Sequence, residues 1–341
     1  MLDKSTAITI ISQINSFYII IDFFYICIMI SLIQLEYVVA VDNYRHFATA
    51  AEKCFVTQPT LSMQLKKMEE ELGIILFDRS KQPVIPTETG KKIIEQARLV
   101  LQESKKITIL ANEAKEELSG ELRIGIIPTI SPYLLPLFAG EFKKHYPNVH
   151  VKVEELVTEQ IEERLQKDFL DVGILVTPLH NKNIIEQPLY YEEMLIYSNK
   201  THPLAHQSVI QIKDIASPEI WLLSDGHCFR HQVVNLCDLH DLENDKLPFE
   251  FEGGSLDTLM KIIDQEGGFT LIPELAGIEL PEEKKTQVRH LSKMHPLREV
   301  SLVFTRQFAK TRLVELLGKS IKKAVPKELL NQDRGTLVEW R

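Results

Sequence analysis

From Ser31 the chain takes on a helical pattern. Leu32, Leu35, Val38 and Val39 share one face, and Ser31 with Gln34 has capping-box spacing. After the polar residues 43–46, Ala48, Ala51 and Phe55 again recur at helical intervals. A further run places Leu61, Leu65, Met68 and Leu72 on one face. Thr57 suits its N-cap, Pro59 is tolerated in the first turn, and Gly73 stops it. Two helices joined by so short a turn predict a helix-turn-helix unit. Residues 74–90 are short apolar runs around a polar, proline-containing stretch, which suits a β-ribbon or wing, and Thr87 then caps a long helix. Along that helix Ile93, Ala97, Val100, Ser104, Ile107, Ala111 and Ala114 alternate spacings of four and three, the seam of a short coiled coil. The seam favours dimerisation, and packing against the chain's own body is the competing reading.

Ser119-Gly120 marks a boundary, and from Glu121 the period changes. Strand-like segments at 122–127, 149–156, 170–176, 193–198, 219–224 and 249–254 are interspersed with helical ones at 133–147, 158–168 and 257–268, followed by a strand at 269–275. Glycine stands at helix ends, as in a mostly parallel α/β architecture. The late segment 300–308 reads as a strand returning to the first half, so the chain is expected to cross twice between two lobes.

Composition sets limits on this picture. A chain of 341 residues, 44% hydrophobic, is long enough for two folded units. Residues 16–33 carry one charge, Asp22, and approach the length of a membrane span. The flanking residues are poorly basic, no small-residue cleavage site follows, and the folded pattern begins at once, so residues 1–28 are expected to be an upstream extension with Met29 as the start and no membrane partner. The four cysteines Cys27, Cys54, Cys228 and Cys237 form no CxxC pair and no Cys/His cluster at zinc spacing, and no metal or cofactor is expected. Such sparse usage fits a reducing cytosol.

The net charge of −9 excludes a global field that draws the chain to nucleic acid, so any DNA contact rests on local pattern. Between Asn43 and Met68 stand Arg45, Lys53, Lys66 and Lys67 against one acid, Glu52. The start of the second motif helix offers Thr57, Gln58, Pro59, Thr60, Ser62 and Gln64, short or amide side chains suited to base edges, beside Lys66 and Lys67 for phosphates. An ordinary polar helix face would read the same way. The second chemical candidate is residues 224–237. A thiol reacts with an oxidant as the thiolate, which cations and a helix N-terminus favour. Cys228 lies between His227 and Arg230 at the start of a run in which Phe229, Val233, Leu236 and Cys237 keep helical spacing. Cys237 would be inert while buried. Two core cysteines packed as small hydrophobes are the alternative, and for Cys54 and Cys27 that reading is preferred.

The run 47–79, with Ala50-Ala51 before the turn, Gln58 to Ser62 entering the helix, Glu71 to Gly73 and Leu76 to Arg79 beyond it, then residues 86–90, resembles the LysR type of transcriptional regulator. The resemblance implies a winged helix-turn-helix in 29–86, a dimerising linker helix in 87–119, and a two-lobed effector domain like a periplasmic solute-binding protein in 120–325, with 326–341 as a C-terminal tail. It implies promoter DNA, RNA polymerase and the chain itself, as dimer or tetramer, as partners, in the cytoplasm and without enzymatic activity. Most members bind a metabolite between the lobes, and that alternative stays open. Gly226, His227, Cys228, Arg230 and Gln232, with a second cysteine nine residues after the first, resemble instead the members that sense hydrogen peroxide and control oxidative-stress genes. For those the resemblance implies a reversible Cys228–Cys237 disulfide reset by a thiol reductant, with Thr129 and Thr158 in the peroxide pocket beside His227 and Arg230. His231 departs from that pattern, and Arg306 is displaced from the late basic position, so its role is left unassigned.

Overall fold

A computed structural model of the chain describes residues 30–113, 118–239, 249, 251–292, 295–305 and 311–339. The extension 1–28, Ala114 of the linker seam and Arg306 lie outside these residues. The chain forms two compact units, one ending at Thr108 and one starting at Ile109. No helix among the described residues is long and apolar enough to cross a membrane.

In the first unit α1 (Leu32–Tyr44) opens on the expected capping box: the Gln34 amide donates to Ser31 Oγ at 3.2 Å and the Ser31 amide to Gln34 Oε1 at 2.9 Å. α2 (Phe47–Lys53) and α3 (Gln58–Leu72) follow. Thr57 Oγ1 accepts the Thr60 amide at the head of α3, and Gly73, at φ 67°, closes it. Val38, Val41, Ala50, Leu61, Leu65 and Met68 are wholly buried where the three helices meet. At about 1.5–3 kcal/mol for each large apolar side chain, this burial fixes the angle at which α3 is presented. Phe55 departs from its expected place on the apolar face: α2 stops at Lys53, and Phe55, at φ 57°, sits in the turn 96% exposed.

The wing is present as β1 (Phe77–Asp78) paired antiparallel with β2 (Ile85–Pro86). Thr87 Oγ1 accepts the Gly90 amide at 2.9 Å and donates to the Ile75 carbonyl, starting α4 (Glu88–Glu113). A β-carbon at position 90 would lie 2.1 Å from the Leu76 carbonyl oxygen, so glycine is required where α4 passes the wing. Arg98 ties α4 to α1 by donating to Asp42 and Asn43 at 2.6 Å each. Of the expected seam, Ala97 is buried in this unit's own core beside Ile94, while Val100, Ile107 and Ala111 are exposed.

The second unit contains β3 (Gly120–Ile126), α5 (Ser131–His145), β4 (Val149–Glu155), α6 (Thr158–Gln166), β5 (Val172–Thr177), β6 (Ile184–Ser198) and α7 (Cys228–Cys237). It continues with α8 (Leu256–Glu266), β7 (Phe269–Pro273), α9 (Glu274–Glu279), β8 (Val288–Arg289), β9 (Pro296–Thr305), α10 (Thr311–Ala324) and β10 (Thr336–Leu337). The strands run β4-β3-β5-β9-β6-β7, with β8 on β6 and β10 on β9. β3 is parallel to β4 and β5, but β9 is antiparallel to β5 and β6, and β6 to β7. The sheet is mixed rather than mostly parallel, because the two crossing strands pair with each other. β6 lies on β9 through Glu193 and on β7 from Met194.

The expected strand at 219–224 is reduced to a single bridge, Ile220 with Phe269. The Trp221 amide donates to the Phe269 carbonyl and the Ser224 amide to that of Gly253, so its backbone is shared between two segments and no ladder forms. Residues 251–253 of the other expected strand also carry no ladder. Nor does the C-terminal segment hang free: β10 is parallel to β9 at Pro296 and Leu297, and the Val338 amide donates to the Leu297 carbonyl at 2.8 Å.

Candidate functional site

Cys228 is the first residue of α7, with His227 at the N-cap. It lines a narrow, tightly closed crevice with Ile127, Thr129, Val157, Thr158, Gly226 and His227, and is 3% exposed. Thr129 comes from the turn after β3 and Thr158 from the first turn of α6, so three separate stretches of chain converge on one sulfur. Neither threonine caps a helix: the N-cap residues are Ile130 and Val157, and neither makes a side-chain cap bond. The Thr158 hydroxyl, otherwise unpartnered among the described residues, faces the thiol and favours its ionised form.

Beneath the crevice lies Arg298 of β9, wholly buried. Its Nε donates to Glu192 Oε1 at 2.9 Å, Nη1 to Thr129 Oγ1 at 3.2 Å and Nη2 to the Thr129 carbonyl at 3.1 Å. The guanidinium stacks on Phe229, the residue after Cys228, with 5.0 Å from its carbon to the ring centroid. A charged pair with no exposure survives because each partner is fully hydrogen-bonded, and removing either strands the other. Burial pushes the Cys228 thiol above its ordinary value, while Arg298, the Thr158 hydroxyl and the Phe229 amide pull it down and Glu159 pushes it up. The expectation that neighbouring cations lower this pKa overall is therefore corrected, because desolvation outweighs them.

The two expected cations also change role. Arg230 is committed elsewhere, with Nε 2.7 Å from Asp225 Oδ1 and Nη1 donating to the Leu223 carbonyl. Burial pushes His227 down, which favours the neutral ring. That ring lies against Gly254, where an added β-carbon would lie 2.6 Å from it. Arg298 is the residue that sequence reasoning missed. Its signal was a charged pair, Arg298-Glu299, inside the otherwise apolar run 296–304.

Cys237 ends the same helix, 1% exposed, and burial alone pushes its thiol up to about 12. Both cysteines are free thiols. Gln232, between them and wholly buried, donates from Nε2 to the Val338 carbonyl at 3.0 Å, so the chain's last strand is fastened to α7. Cys54 is half-buried with its pKa raised by burial, consistent with a packing role.

In the first unit Thr57, Gln58, Pro59, Thr60, Lys66 and Lys67 are exposed along α3, and Ser62 and Gln64 are half-buried. Arg45, Gln58, Ser62, Arg79 and Lys81 line a groove of about 320 Å3 between α3 and the wing. Lys66 and Lys67 face Glu70 and Glu71 one turn on, at 3.6 and 3.7 Å, and Arg45 pairs with Asp42 at 2.8 Å. The two lysine pairs lie near the surface and hold their side chains only weakly, whereas Asp42 is 12% exposed and is also paired with Arg98.

Residues 32–91 match the family described as bacterial regulatory helix-turn-helix protein, lysR family, and residues 115–326 match the LysR substrate binding domain. The hydrogen peroxide-inducible genes activator of Haemophilus influenzae is 36% identical over 271 residues, 80% of this chain and 89% of that one. The DNA-binding transcriptional dual regulator OxyR of Escherichia coli K12 is 37% identical over 273 residues, 80% of this chain and 88% of that one. Among solved structures, a full-length OxyR variant from Pseudomonas aeruginosa covers 87% of this chain and 99% of its own at 31% identity and a TM-score of 0.71. A mutant of Corynebacterium glutamicum OxyR with hydrogen peroxide bound covers 86% and 94% at 28% identity and a TM-score of 0.55.

Proposed function

The chain belongs to the LysR family of bacterial helix-turn-helix regulators, and from that premise we propose that it is a promoter-binding transcription regulator switched by hydrogen peroxide at Cys228. The observation that carries this reading is the placement of Cys228 at the head of α7, in a crevice with two threonine hydroxyls above a buried arginine, with a second thiol at the far end of the same helix. Peroxide enters beside Thr129 and Thr158, whose hydroxyls orient it, while Arg298 and the amides at the helix start stabilise the thiolate. The thiolate attacks one peroxide oxygen, the O–O bond breaks, and the leaving hydroxide takes a proton to become water. Cys228 becomes a sulfenic acid. The Cys237 thiolate then attacks that sulfur, the S–O bond breaks, the hydroxide again leaves as water, and a disulfide remains. A thiol reductant supplies the two electrons that reset it.

His227 and Arg230 serve here as positioning groups, the first as the N-cap of α7 and the second holding the loop before it. On the DNA side, Thr57 to Ser62 and Gln64 read base edges while Arg45, Lys66 and Lys67 meet phosphates. The exposed Val100 and Ile107 give α4 a surface for a second copy. The regulator acts in the cytoplasm, as a homodimer or homotetramer, with RNA polymerase as its downstream partner. The buried Arg298–Glu192 pair favours the peroxide reading over a metabolite effector, because it fills the polar centre under the crevice with the chain's own charges.

The test is thiol alkylation read by mass after brief exposure to micromolar peroxide. Wild type should lose two alkylatable thiols together, Cys237→Ser should accumulate a sulfenic acid at Cys228, and Cys228→Ser should be inert. Equal oxidation of Cys228→Ser would overturn the assignment.

A further inference from the structure

Away from the crevice, a second cluster joins residues that the sequence keeps far apart. Glu193 is the last residue of β6 in register with β9, opposite Leu297, and only 4% exposed. His290 follows β8 directly and His295 directly precedes β9. The two Nδ1 atoms lie 3.1 Å from Glu193 Oε2 and Oε1 respectively, and one ligand atom from each of the three residues falls within 4.8 Å of the others. We propose that Glu193, His290 and His295 form a binding site for a divalent transition-metal ion of the zinc type.

Two imidazoles and one carboxylate are a donor set suited to zinc and its neighbours, and the spacing His290-x4-His295 falls within the interval common between zinc-binding histidines. Metal–ligand bonds of about 2.0–2.2 Å in a tetrahedron put ligand atoms about 3.3–3.6 Å apart, so the two observed His–Glu separations are already close to an occupied site. The remaining edge closes by rotation of the imidazoles, whose side chains are 62% and 52% exposed. The carboxylate supplies the complementary reason. It is a buried carboxylate met by two imidazoles, and an ion at the centre of the trio would face it directly. Arg334, whose charge is also felt at Glu193, is itself paired with Glu274. Three protein ligands leave a fourth position for water or an external donor. The ion would clamp β6 to the β8–β9 connection at the step where β6 changes partner strands. Sequence reasoning set metals aside because it looked for cysteine pairs and Cys/His clusters, and a carboxylate about a hundred residues upstream has no local signature.

The proposal stands apart from peroxide sensing and is tested without it. Untagged full-length protein, freed of metal by a chelator, is dialysed against Zn2+. Wild type and Cys228→Ser should each bind one ion with the same affinity. The double variant His290→Ala, His295→Ala should bind it at least about 100-fold more weakly, since even an outer partner of a ligand costs 10–100-fold. Its histidines are exposed, and an unchanged thermal unfolding profile verifies that both units are folded. Co2+ in place of Zn2+ should give four-coordinate visible bands without thiolate charge transfer. Failure of wild type to bind, equal binding by the double variant, or a thiolate band lost in Cys228→Ser would each overturn the site.

Discussion

Replacing Val233 by Ala should make the Cys228–Cys237 disulfide easier to form and harder to reduce. α7 runs from one cysteine to the other in ten residues. Nine steps of about 1.5 Å place their Cα atoms about 13.5 Å apart. A disulfide spans about 4.4–6.8 Å, so it cannot close on the intact helix. Oxidation must therefore open α7 and draw Phe229, Val233 and Cys237, each 2% exposed or less, out of their packing. Val233 then stabilises only the reduced form. Trimming it to Ala removes two buried carbons, about 1.6 kcal/mol at about 0.8 kcal/mol each. That is about 15-fold in the thiol–disulfide equilibrium, or a potential about 35 mV more negative for a two-electron couple. The assay equilibrates the protein in graded dithiothreitol buffers and counts alkylated thiols by mass. Val314→Ala provides the control: Val314 is equally buried, but on α10, which both redox forms are expected to keep. An unchanged or more positive potential in Val233→Ala, or the same shift in Val314→Ala, would refute the claim that the helix unfolds on oxidation.

Arg298→Met should lower stability by about 3–5 kcal/mol in urea denaturation, because Glu192 is left charged and unpaired in the core, and adding Glu192→Gln should restore much of the loss. Thr158→Val removes a hydroxyl that pulls the Cys228 pKa down, so the pKa rises and the pH profile of sulfenic acid formation should move to higher pH with the maximal rate less affected. A profile that stays in place would remove Thr158 from the site. Lys66→Ala with Lys67→Ala should weaken binding to all DNA sequences and lower the salt slope by roughly one per lost phosphate contact, whereas Gln58→Ala should relax sequence preference and leave the slope alone. Footprinting across a salt series distinguishes the two.

The helix-turn-helix was legible because its determinants are local. Ser31, Thr57, Pro59 and Gly73 act within one helical turn of their own positions, and the structure places each as read. The crevice was half legible. Cys228, Thr129 and Thr158 each stand at a junction of strand or loop with helix, and the resemblance brought them together. Arg230 was chosen from the motif and for closeness along the chain, but residues two apart on a helix point to opposite faces, and Arg230 is not among the residues lining the crevice. Arg298 comes to the crevice from seventy residues away, bonded to Thr129 and stacked on Phe229, and no periodicity encodes that approach. The strand assignment at 219–224 failed for a related reason: its apolar residues pack in the core, but hydrogen bonding there is divided between two partners.

The bond from Gln232 to the carbonyl of Val338 ties the helix carrying Cys228 to a residue 106 positions further along the chain. Domains fold in the order in which they are synthesised, so the DNA-reading unit can assemble while the helix carrying Cys228 still lacks the strand that completes it. A message truncated just before Thr336 would therefore yield a chain with an intact head and seam but a sensing helix whose buried amide has lost its acceptor. Mixed into assemblies with complete copies, such a product would occupy operators without answering the oxidant. The short strand Thr336–Leu337 thus governs whether a bound regulator can respond.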